Sequence, residues 1–573
     1  MFRSLTHRGS SKKLARVACS LFFCCWVSLL CVLSVAPEGL AAAQGEIGAV
    51  SFEKVAPEGF GRAANVGFGD AALFKGCLYL STRTFPQGEG AEQVRAEIWR
   101  TADGLSWTEV GKEDLASSQS FCFHLLVFAD SLYAIGDTRG NVEIWVSNDG
   151  VSFRQVKPGA FPPPNQAGKD ATVQDTAVTA AVPATGSAGT RAVSPPGGST
   201  VVTYPFVFAK KLVMAVAGYS RGLSLLVSDD GKVFKPVSAG NLLAPGNIAL
   251  VVDNPQQPSA VLDDALYVGV TNPYVGGQIW CSKDAVNWVE VAGNGLGKQE
   301  NVTLRPELIF RGYLYAVSEP AGSLRSPSHF DVFRTCDGTN WEKVIADGFG
   351  EQGFKNVYGW LTVFHDTLYL TAQALPASSA SSQPGAVARS NAFRLYTSTD
   401  GNSWIQSGCD GFGSQTAFWA SMRVVGGAAF LIVHDTEKGL SLWTSPDGNS
   451  WRPVFSDSRP AATANEATLL LFMDHLFLVR DDVERGVCVW RSREPLAATS
   501  PTLKPASSTT SVFLSTTIKS EPGSQSTGRI ATETSSPQHW PVWATITGVV
   551  AALILAAAIA VRVVRGGREN RRT

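Results

Sequence analysis

Seven aspartates hold the same position in a repeated segment of the sequence. Each lies two residues after a Ser or Thr and four residues before an aromatic residue, and Gly or Ala follows it directly. A carboxylate beside a large aromatic side chain could hold a metal ion or a sugar, which is the functional interpretation of the motif. The seven residues are Asp103, Asp149, Asp230, Asp284, Asp337, Asp400 and Asp447.

A structural role in turns explains these aspartates better than a ligand site does. An Asp side chain accepts backbone N–H bonds across a tight turn, and the Gly that follows adopts a positive φ at little cost. A catalytic site does not need seven copies of one carboxylate. We therefore expect each aspartate to close its own turn, with Ser445-Pro446-Asp447-Gly448 as the last of the seven.

The turns belong to a larger repeat. β-branched and aromatic residues on both sides of each turn predict two strands, in segments 98–107, 144–153, 225–234, 279–288, 332–341, 395–404 and 442–451. A second pattern consists of an aromatic or aliphatic residue, a short turn and a strand of the Leu-Tyr type. It begins at eight positions, which are Phe74, Phe128, Phe208, Val261, Phe310, Phe364, Val424 and Phe472.

Four short strands in each repeat are typical of the blades of a β-propeller, because one such unit cannot bury both of its faces alone. We predict an all-β, eight-bladed propeller. Seven blades are the alternative, if the degenerate repeat around Val424 or Phe472 forms none. The eighth turn segment lacks its final strand, and Val50–Val55 matches that strand. This N-terminal strand is expected to close the ring and remove its open edge.

The motif Ser-x-Asp-Gly-x-x-Trp resembles the Asp-box, or BNR, repeat of sialidases, sortilin-type receptors and many secreted propellers. It is one residue shorter than the usual Asp-box between the Asp and the aromatic position. The Leu-Tyr strand and the late Trp also resemble Kelch blades. The resemblance covers about residues 50–495 and implies a propeller of the sialidase-like superfamily. It implies no particular activity, because Asp-box propellers include hydrolases, receptors and adhesins.

Membership of the sialidases would imply three arginines on one substrate carboxylate, a Tyr–Glu nucleophile pair and an acidic proton donor. The Phe/Tyr-Arg-Ile-Pro signature of that family is absent near the first strand, and Leu304-Arg305-Pro306 in mid-chain is its nearest equivalent. A sialidase ring also has six blades. We therefore expect no enzyme activity, with a sialidase-like glycoside hydrolase as the alternative.

The face opposite the Asp turns is the expected binding surface. It is built by the loops after the Leu-Tyr strands, such as Ser81–Glu97 and Asp137–Val142, and by the loops between blades. Loops of this kind carry function in many folds. Several of them contain an arginine, for which solvated surface is the alternative interpretation. The six arginines are Arg83, Arg139, Arg221, Arg325, Arg480 and Arg485.

Both ends of the chain carry targeting patterns. Residues 1–43 combine a basic start, an apolar run and an Ala-rich cleavage site, which predicts a signal peptide, with an uncleaved anchor as the alternative. Residues 540–564 are apolar enough to span a bilayer as one helix, and the basic tail 565–573 is expected in the cytosol. We expect a single-pass type I protein of the plasma membrane or of another secretory-pathway membrane.

The propeller is expected to occupy residues 44–494. Two insertions rich in Pro, Ala, Gly and Ser, at about 157–200 and 376–390, are predicted to be disordered. Residues 495–539 are rich in Ser, Thr and Pro, which is typical of an O-glycosylated stalk.

The cysteines and one sequon fit a secretory route. An even number of cysteines outside the signal segment suggests disulfides in an oxidising compartment. Cys77 with Cys122 and Cys281 with Cys336 are the expected pairs, since each pair lies one repeat apart, and buried thiols are the alternative. Asn301-Val302-Thr303 predicts N-glycosylation at Asn301. The six cysteines are Cys77, Cys122, Cys281, Cys336, Cys409 and Cys488.

Other kinds of chemistry are not indicated by the sequence. The seven histidines are dispersed, and no Cys-x-x-Cys pair or His/Cys cluster predicts a metal centre. Segments such as Gly59-Phe60-Gly61 lack the helix and the lysine of a phosphate loop. A net charge of −1 provides no basic field for nucleic acid. We expect no cofactor, and a surface adhesin or receptor for a protein or carbohydrate ligand, with a scaffold of a membrane complex as a further alternative.

Overall fold

The computed structural model describes residues 50–84, 95–138, 142–157, 201–218, 222–244, 246–320, 329–350, 356–374, 392–459 and 467–496. All of them belong to the first of the two compact parts into which the chain divides, residues 1–513 and 514–573. The predicted signal peptide, membrane segment and tail lie outside the described residues, as do nearly all of the stalk and of both insertions. Among the described residues, no helix is long and apolar enough to cross a membrane.

The described part of the chain is all-β, which confirms the predicted fold class. Its strands pair into sheets that resolve into eight antiparallel units, numbered here from the N-terminus. Two of the sheets contain two units each, joined by the single pairs Arg83↔Cys122 and Thr271↔Thr303. The short helical segments are Glu58–Gly61, Asp114–Ser117, Gly240–Leu243, Asn294–Gly297, Asp347–Phe349 and Asp410–Gly413.

The first strand of the described residues, β1 (Phe52–Lys54), pairs with the last strand described, Cys488–Ser492, and belongs to unit 8. Unit 1 contains β2 (Gly67–Phe74), β3 (Cys77–Arg83), β4 (Ile98–Thr101) and β5 (Thr108–Val110). Unit 2 contains β6 (Cys122–Phe128), β7 (Ser131–Asp137), β8 (Glu143–Ser147) and β9 (Arg154–Val156). Unit 3 contains β10 (Val201–Phe208), β11 (Lys211–Gly218), β12 (Gly222–Ser228) and β13 (Lys235–Pro236). In unit 4 the first strand is divided, giving β14 (Ala249–Val251), β15 (Val261–Leu262), β16 (Ala265–Thr271), β17 (Gln278–Ser282) and β18 (Val289–Ala292).

The second half of the chain repeats this order. Unit 5 contains β19 (Asn301–Phe310), β20 (Tyr313–Pro320), β21 (Val332–Thr335) and β22 (Glu342–Ile345). Unit 6 contains β23 (Asn356–Phe364), β24 (Thr367–Ala374), β25 (Arg394–Ser398) and β26 (Ile405–Gln406). Unit 7 contains β27 (Ala417–Val425), β28 (Ala428–Asp435), β29 (Gly439–Ser445) and β30 (Arg452–Asp457). Unit 8 contains β31 (Ala467–Phe472), β32 (His475–Arg480) and β33 (Cys488–Ser492), and β1 is its fourth strand.

One turn type joins the first two strand positions of every unit. Two consecutive residues with positive φ occupy it, as in the type I′ turns whose twist matches that of antiparallel strands. This turn belongs to the sequence pattern that first occurs at Phe74 and is found eight times in all. The eight pairs are Lys75/Gly76, Ala129/Asp130, Ala209/Lys210, Asp263/Asp264, Arg311/Gly312, His365/Asp366, Gly426/Gly427 and Met473/Asp474.

Unit 8 is completed by β1. Phe52 lies opposite Ser492 and Lys54 opposite Trp490, which is the pairing expected from the incomplete eighth repeat. Asp481, just after β32, also accepts a hydrogen bond from the backbone N–H of Phe68 at 2.7 Å. Residues more than 400 positions apart therefore pair within unit 8, and others form a hydrogen bond between unit 8 and unit 1.

The core is divided among eight hydrophobic clusters, each shared by two neighbouring units. The cluster between units 8 and 1 packs Phe477 and Val489 against Leu78 and Leu80. Because that cluster links the last unit to the first, the series of contacts closes on itself. Every unit buries both faces, which a single four-stranded sheet cannot do alone.

Candidate functional site

In the structure, the seven repeated aspartates close their own turns. The Oδ1 atom of each accepts the backbone N–H groups two and three residues later, at 2.7–2.9 Å. The bonds from Ser106 and Leu105 lower the pKa of Asp103 to about 2. At the last turn, Ser445 Oγ donates to Asp447 at 2.9 Å and accepts the N–H of Gly448 at 2.8 Å. These carboxylates are thus engaged by their own backbone.

The six loop arginines do not form one group. Arg139, Arg221 and Arg325 lie outside the described residues. Arg83 lies mostly buried, with Nη1 at 3.8 Å from Asp481 Oδ2, and Arg485 is exposed. Arg480 is only 1% exposed, so its predicted place on a binding surface is wrong. It ends β32 with its side chain turned inward, where a carboxylate neutralises its charge.

That carboxylate belongs to an ion-pair network between units 7 and 8. Asp457 Oδ2 accepts hydrogen bonds from Arg480 Nη1 and from Arg459 Nη2, both at 2.6 Å. Arg459 Nη1 also donates to Asp482 Oδ2 at 3.0 Å. Burial raises the pKa of Asp457, but the two guanidinium groups outweigh burial and hold it below its usual value. The network stabilises the junction of two units, and its arginines are not available to a ligand.

A cleft of about 380 Å³ lies at the end of units 1 and 2 that is opposite their Asp turns. Three segments build it. Arg62 follows the short helical turn Glu58–Gly61, and Arg95 precedes β4. The third segment connects unit 1 to unit 2 and contributes Ala116, Ser117, Ser118 and Gln119. The lining is polar, with two guanidinium groups.

Glu97 anchors the arginine side of the cleft. Its carboxylate is almost fully buried and accepts hydrogen bonds from Arg62, from Asn65 Nδ2 at 2.7 Å and from Trp99 Nε1 at 3.0 Å. The Arg62 side chain is still 44% exposed, so its guanidinium group faces both Glu97 and solvent. Arg95 Nη2 donates to Glu109 Oε1 and to Lys112 O, each at 3.1 Å. Both arginines are therefore held in place before any ligand arrives.

Glu143 anchors the opposite wall. Its carboxylate accepts the backbone N–H of Gln119 at 3.0 Å and the Ser120 hydroxyl at 2.8 Å, and it also bonds to the Ser118 hydroxyl. These bonds fix the segment that connects the two units. The cleft is thus held by hydrogen bonds on both sides, and prearranged side chains lower the entropic cost of binding.

The loop Ser81–Glu97 is predicted from the sequence to contribute to the binding face, but neither Arg62 nor Arg95 is predicted as a site residue. A signal for the anchors is present, because polar residues stand two positions before the Trp of several repeats. In the structure these residues accept the indole N–H, at 3.0 Å for Glu97, 3.4 Å for Glu143, 2.8 Å for Gln278 and 3.0 Å for Ser441. Where that residue is Glu, as at Glu97 and Glu143, its negative charge binds an arginine or serine hydroxyls at the same end of the unit.

The structure does not support a glycan at Asn301. The residue is fully buried, and its Nδ2 donates to Gly295 O at 3.1 Å and to Asp331 Oδ2 at 3.0 Å. Its Oδ1 accepts the Ser318 hydroxyl at 3.0 Å. A glycan on Nδ2 would break these bonds and would need space that the interior does not have.

We expect the purified full-length chain to carry no glycan at Asn301. Asn301→Ala is expected to lower the free energy of unfolding by about 2–4 kcal/mol, because Gly295, Ser318 and Asp331 each lose a buried hydrogen bond. Peptide mass spectrometry checks the first expectation and urea unfolding the second. Asn402→Ala, at an exposed turn position, is the control and should change stability little. A glycosylated Asn301 in the folded protein would contradict this assignment.

The six cysteines of the described residues are all free thiols, so the predicted disulfides are not formed. Cys77 begins β3, whereas Cys122 lies opposite Arg83 at the other end of that strand. Six strand residues separate the two places, about 20 Å, and a disulfide requires Cα atoms less than about 7 Å apart. Cys281 and Cys336 are likewise unpaired. The alternative of buried thiols is confirmed for Cys77, Cys122 and Cys488, but Cys281 is partly exposed and Cys336 and Cys409 are exposed.

One group of side chains among the described residues has the donor atoms of a metal site. The Cys122 Sγ, a His124 ring nitrogen and an Asp137 carboxylate oxygen all lie within 4.8 Å of one another. The sequence does not predict this group, because it contains no Cys-x-x-Cys or paired-His pattern. The group combines the Cys-x-His pair Cys122/His124 with an aspartate of the next strand.

No protein-family model matches the chain, and no curated protein does. Among solved structures, a Mycobacterium tuberculosis puromycin-hydrolysing peptidase is similar at 10% identity and a TM-score of 0.37, over 74% of this chain and 61% of the peptidase. YCF48 bound to D1 peptide has 10% identity and a TM-score of 0.34, over 80% of this chain and 98% of YCF48. A Trypanosoma rangeli sialidase in complex with sialic acid has 11% identity and a TM-score of 0.28, over 75% of this chain and 54% of the sialidase. The chain thus spans less than two thirds of the peptidase and of the sialidase, and likenesses this distant carry no argument about its function.

Proposed function

We propose that the eight units are the blades of one β-propeller and that the chain is a cell-surface recognition protein. It binds its ligand on the face opposite the Asp turns, at the cleft between units 1 and 2. The observation that carries this proposal is the cleft itself, which is built by three segments at that end and is lined by Arg62, Arg95 and polar groups. Prearranged guanidinium groups in a polar cleft suit a ligand with a carboxylate or sulfate group.

Membrane attachment is the second part of the proposal. The apolar run 540–564, followed by a basic tail, supports a single-pass anchor with the propeller outside the cytosol. The Ser/Thr/Pro-rich segment 495–539 would hold the propeller away from the lipid surface. A recognition face exposed to the cell exterior needs such an arrangement.

Binding is preferred over glycoside hydrolysis for a reason of charge. Hydrolysis of a sialoside would need arginines gathered on one substrate carboxylate. Among the described residues, Arg83, Arg459 and Arg480 each face an aspartate of the protein instead. Arg62 and Arg95 are also paired with protein carboxylates, Glu97 and Glu109, but the Arg62 side chain stays 44% exposed and can contact a ligand while it keeps that partner, whereas Arg480 is buried.

We expect Arg62→Ala and Arg95→Ala each to weaken ligand binding about 10–100-fold, the effect of losing a charged hydrogen bond of about 1.5–3 kcal/mol. The measurement is binding of the full-length chain to arrays of acidic and neutral glycans and to acidic peptides, followed by affinity titration. Arg154→Ala is the matched control, since this exposed arginine lies just beyond an Asp turn, at the other end of unit 2. Thermal unfolding of each variant verifies that the fold is kept.

Three outcomes would overturn the proposal. Equal losses in the Arg154 control would place the ligand elsewhere or indicate non-specific charge attraction. Turnover of a sialoside that the cleft variants abolish would support the hydrolase. The absence of both binding and turnover would support the scaffold.

A further inference from the structure

Cys122, His124 and Asp137 converge because of strand register. Cys122 and His124 lie two residues apart on β6, so their side chains share one face of the sheet. Asp137 is the last residue of β7 and lies directly opposite Cys122. Side chains of directly opposed residues are in contact, and a residue two positions along remains within reach of a long side chain.

The separations fit a small cation. His124 Nε2 lies 3.3 Å from Asp137 Oδ2, and the three donor atoms are all within 4.8 Å of one another. Ligands about 2.0–2.3 Å from a tetrahedral zinc ion are about 3.3–3.8 Å apart, so a small inward movement of the side chains completes the geometry. Sulfur, imidazole nitrogen and carboxylate oxygen are the three donor types that zinc takes in proteins.

Neighbouring residues fix one of these donors and place a second carboxylate near another. Asp137 Oδ1 accepts the backbone N–H of Thr203 at 2.8 Å and the Thr203 hydroxyl at 3.0 Å, which leaves Oδ2 turned to His124. Asp70 is held by the N–H groups of Ala71 at 2.7 Å and of Leu125 at 3.3 Å, and its charge acts on His124. Hydrogen bonds that fix a carboxylate ligand and a second carboxylate near a histidine ligand are the usual surroundings of protein-bound metal ions.

We propose that Cys122, His124 and Asp137 bind one divalent ion of the zinc class, with a water molecule in the fourth position. Binding releases the thiol proton to solvent, so one thiolate and one carboxylate balance the two positive charges of the ion. Asp70 and Arg83 are the other charged groups that act on the cluster, and their effects are opposite in sign. Cys122 and Asp137 are buried, whereas His124 is partly exposed and leaves a path from solvent.

Cobalt(II) is the probe that tests this site. We expect the reduced full-length chain to bind one cobalt(II) ion, with a thiolate-to-cobalt charge-transfer band and the visible bands of tetrahedral coordination. Zinc(II) should displace cobalt, remove the bands and raise the thermal unfolding midpoint. Cys122→Ser should abolish the charge-transfer band, and His124→Gln should weaken binding at least 10-fold, the usual scale for loss of one ligand or its support.

Controls distinguish this site from other thiols and histidines. Cys336→Ser, Cys409→Ser and His475→Gln change residues outside the cluster and should leave the bands unchanged. Circular dichroism of the metal-free variants shows whether they fold, and if Cys122→Ser does not, His124→Gln at the partly exposed position still decides. A folded wild-type chain without the bands, or bands that persist in Cys122→Ser and His124→Gln, would overturn the proposal.

Discussion

Replacing Asp457 by asparagine is expected to lower the free energy of unfolding by about 3 kcal/mol at pH 7. The change leaves Arg480, which is buried, without the carboxylate that accepts its hydrogen bond at 2.6 Å. Breaking a buried ion pair on one side costs about 3–5 kcal/mol, and the lower end applies because Asp457 keeps some exposure and Arg459 retains Asp482. Urea unfolding of the full-length chain measures the difference.

A surface ion pair is the control for this effect. Lys211 and Asp229 also form an ion pair, but Asp229 is exposed to solvent, so Asp229→Asn should leave stability unchanged. A similar loss in both variants would mean that burial does not determine the effect. An unchanged stability in Asp457→Asn would contradict the inward orientation of Arg480.

The effect of Asp457→Asn should depend on pH. The arginines lower the pKa of Asp457 in the folded chain, so its contribution is fully present above the unfolded value of about 3.9 and is lost as the pH falls through the folded value. The difference between wild type and variant should therefore be constant near neutral pH and should shrink below about pH 4. A difference that grows on acidification would have the wrong sign for this ion pair.

The parts of the fold that the sequence predicts are those encoded within a few residues. The Asp447 turn uses Ser445, Gly448 and the next two N–H groups, all within six positions. The hairpin between the first two strand positions of each of the eight units needs only two residues with positive φ between two strands. The pairing of β1 with the last strand of unit 8 joins residues far apart in sequence, but it is also predictable. The eighth repeat lacks one strand, and Val50–Val55 has the sequence pattern of that strand.

The candidate sites depend on contacts between distant residues, and a single sequence does not contain these. Arg480 ends a Leu-Tyr type strand, a position at which the sequence predicts an exposed loop arginine. Its burial depends on the ion pair with Asp457 of unit 7, which is distant in sequence. Asn301 fits a sequon, yet Ser318 and Asp331 engage its amide. His124 and Asp137 are 13 residues apart and meet only because β6 and β7 pair in one register.

The turn glycines also make a contact that the turn alone does not require. In five units the tyrosine of the Leu-Tyr strand places its hydroxyl where a Cβ on the glycine of the next Asp turn would stand. The pairs are Tyr79 with Gly150, Tyr133 with Gly231, Tyr267 with Gly338, Tyr315 with Gly401, and Tyr369 with Gly448. Each glycine is therefore required by its positive φ and by the neighbouring unit.

Gly448→Ala is expected to lower the free energy of unfolding by about 3 kcal/mol. About 1 kcal/mol comes from placing alanine at a φ of +77°, and about 2 kcal/mol from the collision with the Tyr369 hydroxyl. Gly76→Ala is the control, because Gly76 has a φ of +73° and no atom within 4 Å of its added Cβ, so only the backbone cost remains. Equal losses at the two positions in urea unfolding would rule out the collision.

The chain contains a natural exception to this contact. The turn of unit 4 has Ala285 in place of glycine, at a φ of +62°, and the preceding unit has Val213 where five units have tyrosine and the last two have phenylalanine. Both residues are buried in one hydrophobic cluster, so the methyl group of Ala285 occupies the space that a tyrosine hydroxyl fills elsewhere.

We expect Val213→Tyr to destabilise the protein and Ala285→Gly to relieve most of that loss, with a coupling energy of about 1–3 kcal/mol in the double-mutant cycle. Additive effects would mean that tyrosine and glycine are independent features of the repeat, whereas coupling would establish that side-chain size at these two positions governs how each unit fits the next.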